Sequence, residues 1–191
     1  MKIAECQDLF TRTLSTTHIS APEGTLFNSI AAQILEMAHA YESDGIRFFQ
    51  NGDPLNALAG YYYGFGWLHF GVSSGLLNIP GPAACPFKGP QEVLHSRFRT
   101  KLEEKTTRYA RLLDIARTSV KCSMDPATTS YAFAQRILCI ANTYARSGEY
   151  LMQAGGTEGA LASFSYGHGW LDAAVTAGFF CIVAERDLFT V

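Results

Sequence analysis

Apolar side chains recur along this chain at helical spacing in two long registers. Phe27, Ile30, Ile34, Met37, Tyr41 and Phe48 lie three, four or seven residues apart, and Phe133, Ile137, Ile140, Tyr144 and Leu151 repeat the pattern at matching places. That period gathers the apolar groups on one side of a helix. Turn chemistry then sets the boundaries. A helix over roughly residues 2–17 stops before Ser20-Ala-Pro-Glu-Gly24, because Pro22 has no amide donor and Gly24 tolerates unusual dihedrals. A second helix runs from about Leu26 to Gln50 and ends at Asn51-Gly52, a left-handed cap. Asp53 caps a third, which opens on Pro54, where a missing N–H costs nothing, and reaches about Leu77. Downstream the plan returns, with Asp125-Pro126 at the first turn, Gly155-Gly156 at the second and Thr157 as the expected cap.

The return is a duplication. Residues 41–77 align without a gap on residues 144–180, 103 positions later, with 14 of 37 identical and the densest run at Tyr63–Leu68 and Tyr166–Leu171. Ordinary composition gives roughly two or three identities by chance. A period this long excludes a short-repeat solenoid and predicts two similar units. Between them Pro80, Pro82, Pro86 and Pro90 fall in one stretch that reads as an extended, semi-stiff connector. The expected organisation is all-α: two tandem three-helix bundles over residues 1–78 and 92–191, joined by a connector at 79–91 and packed as a pseudo-dimer.

Glycine inside the third helix sharpens the packing expectation. Gly60, Gly64, Gly66, Gly71 and Gly75 each cost about 1 kcal/mol relative to alanine in an exposed helix. Something must offset that cost. Positions 57, 61, 64, 68, 71 and 75 form a stripe of mainly small residues, matched at 160–178, that lets another backbone approach closely. The third helix is therefore expected at the centre of each bundle, with the stripe serving either packing inside the bundle or the seam between bundles.

Composition narrows the class. An apolar fraction of 48% and a charged fraction of 17% exclude disorder. A chain of this length buries about 70% of its unfolded surface without a metal or disulfide. The five cysteines, Cys6, Cys85, Cys122, Cys139 and Cys181, show no CxxC spacing and are expected to be reduced. The opening Met-Lys-Ile-Ala-Glu-Cys does not read as a signal peptide, and the longest apolar run, Ala173–Ala184, is too short to cross a bilayer. A cytoplasmic protein with no membrane association is expected.

Candidate chemistry is sparse. Phosphate-loop, dinucleotide, zincin and nucleophile-elbow motifs are absent, and no cofactor or metal is implied. Tyr63 with Trp67 and Tyr166 with Trp170 sit four residues apart on one helical face, either as core residues or as part of a site. His168 and Asp172 share that spacing, so an imidazole and a carboxylate can meet along one helix. The first copy has Phe65 and His69 there, while its own Asp44 and Asp53 become Ser147 and Gly156 in the second. Each half lacks polar groups that the other keeps, which points either to a single composite site between the bundles or to drift. Residues 97–121 carry eight Lys or Arg against three acidic residues, and Arg97, Lys101, Lys105 and Arg108 outline a basic helical face. A pI near 6.2 argues against nucleic acid as its partner.

At Tyr166-Gly-His-Gly-Trp-Leu-Asp-Ala-Ala174, and through the longer pattern of Tyr41, Asp44, Gly52, Asp53, Ala57, Tyr63, Gly66 and Leu68, the chain resembles the archaeal domain-of-unknown-function family number 357. The second copy carries the pattern at Tyr144, Gly155, Ala160, Tyr166, His168, Gly169, Leu171, Asp172 and Ala173. The resemblance implies a three-helix bundle for each copy and an archaeal, cytoplasmic origin, and brings no activity. The leading expectation is a non-enzymatic interaction or scaffold module with a protein partner or self-association. The alternative is a small-ligand or nucleotide-related protein with a composite site, and a weaker one is nucleic-acid binding through residues 97–121.

Overall fold

A computed structural model describes residues 2–81 and 92–190. Its described residues contain six α-helices: α1 (Ile3–Ser15), α2 (Leu26–Gln50), α3 (Pro54–Ser73), α4 (Arg99–Thr118), α5 (Thr129–Gln153) and α6 (Thr157–Thr176). The fold is all-α, built from two tandem three-helix units. Most of the proline-rich connector, including Cys85, lies outside the described residues. No helix among those described is long and apolar enough to cross a membrane.

The helix starts follow their caps. Thr25 Oγ1 accepts the Asn28 amide at 3.1 Å to open α2, and Thr128 does the same for Tyr131 at 3.2 Å to open α5. Asp53 Oδ1 takes the Asn56 amide at 3.1 Å with Pro54 in the first turn of α3. The expected Thr157 cap is not formed. The duplicated turn puts Gly52 and Gly155 at matching positive φ, +74° and +80°, so Gly156 stands where Asp53 stands and leaves α6 without a side-chain cap. The third helix also stops four residues earlier than expected, because Gly75 at φ +76° terminates it.

After α1 and α3 the chain pairs β1 (His18–Ile19) with β2 (Leu77–Asn78), and in the second unit β3 (Val120–Cys122) pairs with β4 (Phe180–Ile182), both antiparallel. These ties were not expected, since two or three residues are too few for a period-two signal. They fasten the end of the first helix of each unit to the end of its third.

α3 and α6 form the central pair. Fifteen of the twenty residues of α3 and sixteen of the twenty of α6 are buried, so both are covered nearly all round. The outer helices bury only a stripe, such as Ala31, Ile34, Ala38 and Gly45 of α2. The small-residue stripe works inside the unit: a Cβ on Gly64 would stand 2.6 Å from Phe10, and one on Gly71 would stand 2.5 Å from Leu77. The seam uses another face. A Cβ on Gly66 would lie 2.6 Å from the Tyr166 carbonyl oxygen, and one on Gly169 would lie 2.3 Å from that of Tyr63. These reciprocal approaches, backbone to backbone, are what an isologous interface between two copies requires.

α4 begins seven residues earlier than the helix it duplicates, after a short 3₁₀ turn at Ser96–Phe98. Those added turns cross to the other unit, where Lys101 Nζ lies 3.2 Å from Asp53 Oδ2 and Lys105 Nζ bonds to Asn56 Oδ1.

Candidate functional site

Two matching junctions flank the seam. At one, the Tyr63 hydroxyl of α3 donates to Asp172 Oδ2 of α6 at 2.7 Å. At the other, the Tyr166 hydroxyl of α6 meets His69 Nδ1 of α3 at 2.8 Å. Each tyrosine packs on a counterpart from the second helix of its own unit, Tyr41 on Tyr63 at 4.6 Å and Tyr144 on Tyr166 at 4.5 Å between ring centroids. The skeleton is the same twice. Its polar end is a carboxylate beside His168 on one side, and an imidazole beside Phe65 on the other.

Asp172 is completely buried, and its two oxygens receive three donors: Tyr63, the Thr190 amide at 3.0 Å and the Thr190 hydroxyl at 2.8 Å. The amide only donates and both hydroxyls can, so the oxygens of this buried side chain are satisfied without a cation. His168 does not bond to Asp172. Its Nε2 lies 3.0 Å from the Leu188 carbonyl oxygen, which only accepts, so Nε2 carries the proton. Burial pushes the His168 pKa below its usual 6.5, against opposing pulls from Asp172 and the Leu188 bond, so the ring is neutral with its lone pair on Nδ1.

The phenols stay protonated. Burial, reinforced by the Asp172 charge, pushes Tyr63 well above the ordinary value, and the same two causes raise Tyr41.

This junction opens onto a cavity of about 220 Å³ walled by Tyr41, Tyr63, Tyr109, Leu112 and His168, with residues 187–190 closing one side. The volume equals that of roughly seven waters, enough for a small ligand or a side chain. A larger cavity of about 590 Å³ lies between the start of α4 and the α5–α6 turn. Of its charged lining residues, Arg99 and Glu103 are exposed and the half-buried Glu158 accepts the Leu94 amide at 2.9 Å, whereas the fully buried His168 lines the smaller one. Among the described residues no group of three or more His, Cys, Asp or Glu is placed to hold a metal ion.

Of the residues singled out in the sequence, Tyr63, His168 and Asp172 come together. Asp44 lies one turn beyond Tyr41 but pairs with Arg47 at 2.7 Å, half exposed, and does not line the cavity. Asp53 is a helix cap; burial opposes its ionisation, but bonds from Asn56 and Lys101 outweigh that and hold its carboxyl below the usual range. Trp67 and Trp170 are core residues whose Nε1 atoms have no partner, and Tyr166 and Trp170 belong to the opposite junction. On the basic face, Lys101 and Lys105 are tied to α3, Arg97 lies over the Phe98 ring at 4.6 Å, and Arg108 is exposed. Sequence reasoning missed Tyr109 and the segment Leu188–Thr190. Thr190 lies 18 residues from Asp172 in a stretch with no periodicity, so no local signal marks it.

The molecule is thus an all-helical protein of two duplicated units that meet through their third helices, with unlike chemistry at the two ends of the seam. The chain belongs to the family described as Protein of unknown function (DUF357), which matches it at residues 7–77 and again at 108–180. No curated protein and no solved structure matches it.

Proposed function

We propose that the chain is a non-enzymatic binding module with one recognition site, at the junction of Tyr41, Tyr63, His168 and Asp172. The observation that carries this reading is a set of buried polar groups gathered beside a cavity: the Asp172 carboxylate, the neutral His168 imidazole and the Tyr63 phenol. Holding such a network in an apolar seam stabilises the fold little relative to well-packed apolar residues. Its presence at the wall of a cavity supports recognition there. Four free cysteines among the described residues suit a reducing, cytoplasmic setting.

A ligand screen read by NMR on the full chain tests it. Ligands of this site shift the resonances of Tyr41 and His168 and lose affinity at least about tenfold, 1.4 kcal/mol, when His168→Gln and Tyr41→Phe are combined. Ligands that instead perturb only Tyr166 and His69, or that bind the double variant unchanged, refute the assignment.

A further inference from the structure

We infer that this seam site is a receptor for a short peptide segment from a partner protein, and that residues 186–190 of the chain itself are its resident occupant. The inference rests on the binding reading above and names what binds.

The segment is held as a bound peptide is held. The Leu188 carbonyl accepts from His168 at 3.0 Å, the Thr190 amide donates to one oxygen of Asp172 at 3.0 Å, and the Thr190 hydroxyl donates to the other at 2.8 Å. Between these contacts Phe189 is the one buried residue of the stretch 183–190, with its ring edge-on to His168 at a centroid distance of 6.2 Å. Two main-chain groups are read on either side of an anchored aromatic ring. That is the division of labour of peptide recognition, in which backbone bonds give affinity and a pocket gives specificity.

Beyond a 3₁₀ turn at Arg186–Leu188 the segment belongs to no helix or strand, and the Leu188 and Phe189 amides bond locally, to the Glu185 and Arg186 carbonyls. Glu185, immediately before it, is the single non-glycine residue with positive φ among the described residues, at +49°. The chain therefore turns into the site through a conformation that costs free energy for a residue with a Cβ. A stretch outside the helices and strands, entered through such a conformation, opens more readily than α6 beneath it. A partner segment presenting a carbonyl, an aromatic side chain and then a hydroxyl residue with a free N–H offers the site the same groups and competes for it.

The test uses the full chain carrying Phe189→Ala and Thr190→Ala, and a fluorescein-labelled peptide Glu-Arg-Asp-Leu-Phe-Thr-Val, residues 185–191. Anisotropy should show saturable binding at least about tenfold tighter than to the unaltered chain, whose own segment reduces the free fraction of sites. Binding should vanish when the peptide Phe is replaced by Ala, or when Asp172→Ala is added to the protein. No binding to a variant of wild-type helicity, equal affinity for both proteins, or binding that survives Asp172→Ala overturns the inference. Hydrogen exchange on the unaltered chain is an independent check. The Thr190 amide should exchange at least about tenfold faster than that of Leu171 through local opening, and exchange of the two together at the global rate also overturns it. If peptide binding fails while small ligands still perturb Tyr41 and His168, the peptide class falls and the site stands; if both fail, so does the site.

Discussion

Replacing Gly169 with alanine challenges the seam at its closest point. The added Cβ would stand 2.3 Å from the Tyr63 carbonyl oxygen, 3.1 Å from its carbon and 3.3 Å from the Gly66 Cα. All three are backbone atoms of α3, so no side chain can rotate away. An unstrained carbon–oxygen contact is about 3.3–3.6 Å, and α3 and α6 must therefore separate by about 1 Å. A gap of that size forfeits roughly a quarter to a half of each dispersion contact across it. Overpacking of this kind costs about 1–3 kcal/mol, and the upper end applies where only backbone can yield. Alanine returns ~1 kcal/mol through helix propensity. The net loss is about 2 kcal/mol, or about 4–8 °C in Tm for a chain of this size. Gly60→Ala is the matched control, since it gains the same propensity in α3 while its Cβ meets nothing closer than 3.7 Å. Urea unfolding followed by far-UV circular dichroism should show Gly169→Ala destabilised and Gly60→Ala neutral or stabilised. Equal effects for the two, or a Gly169→Ala protein as stable as wild type, would refute the backbone-contact account of the seam.

Asp172→Ala should lower stability by about 1–3 kcal/mol, because the Thr190 amide and the Tyr63 and Thr190 hydroxyls lose their acceptor; combining it with Tyr63→Phe in a double-mutant cycle should show coupling, and additive losses would disprove their bond. The folded pKa of His168 lies below 6.5, so at intermediate pH the unfolded chain binds more protons. Its contribution is therefore complete above about pH 6.5 and lost as pH falls through the folded value; urea midpoints should decline across that window, and His168→Gln should flatten the decline. Burial pushes the Cys6 thiol up to about 12, whereas Cys139 and Cys181 are exposed, so alkylation at mild pH should label the latter two at once and Cys6 only on unfolding. Mass-mapped label on Cys6 in the folded protein would contradict that burial.

The sequence by itself determined the elements and their duplication. Helical spacing of Phe27 through Phe48, the Asp53-Pro54 start and the glycine stops are local signals, legible because caps and periods act within a few residues. It also marked Tyr63, through its spacing from Trp67, and His168 and Asp172, through the mismatch between the copies. Only the tertiary structure decided how they are used. The partner of Tyr63 lies 109 residues away, and no periodicity encodes which face of a glycine-rich helix meets its copy. Gly66 and Gly169, rather than the longer stripe of small residues, form the seam because backbone-to-backbone approach depends on where two helices cross. The expected His168–Asp172 pair gave way to separate bonds with Leu188 and Thr190 for the same reason: helical spacing made contact between them available, while the segment folding over them offered both groups better-placed partners.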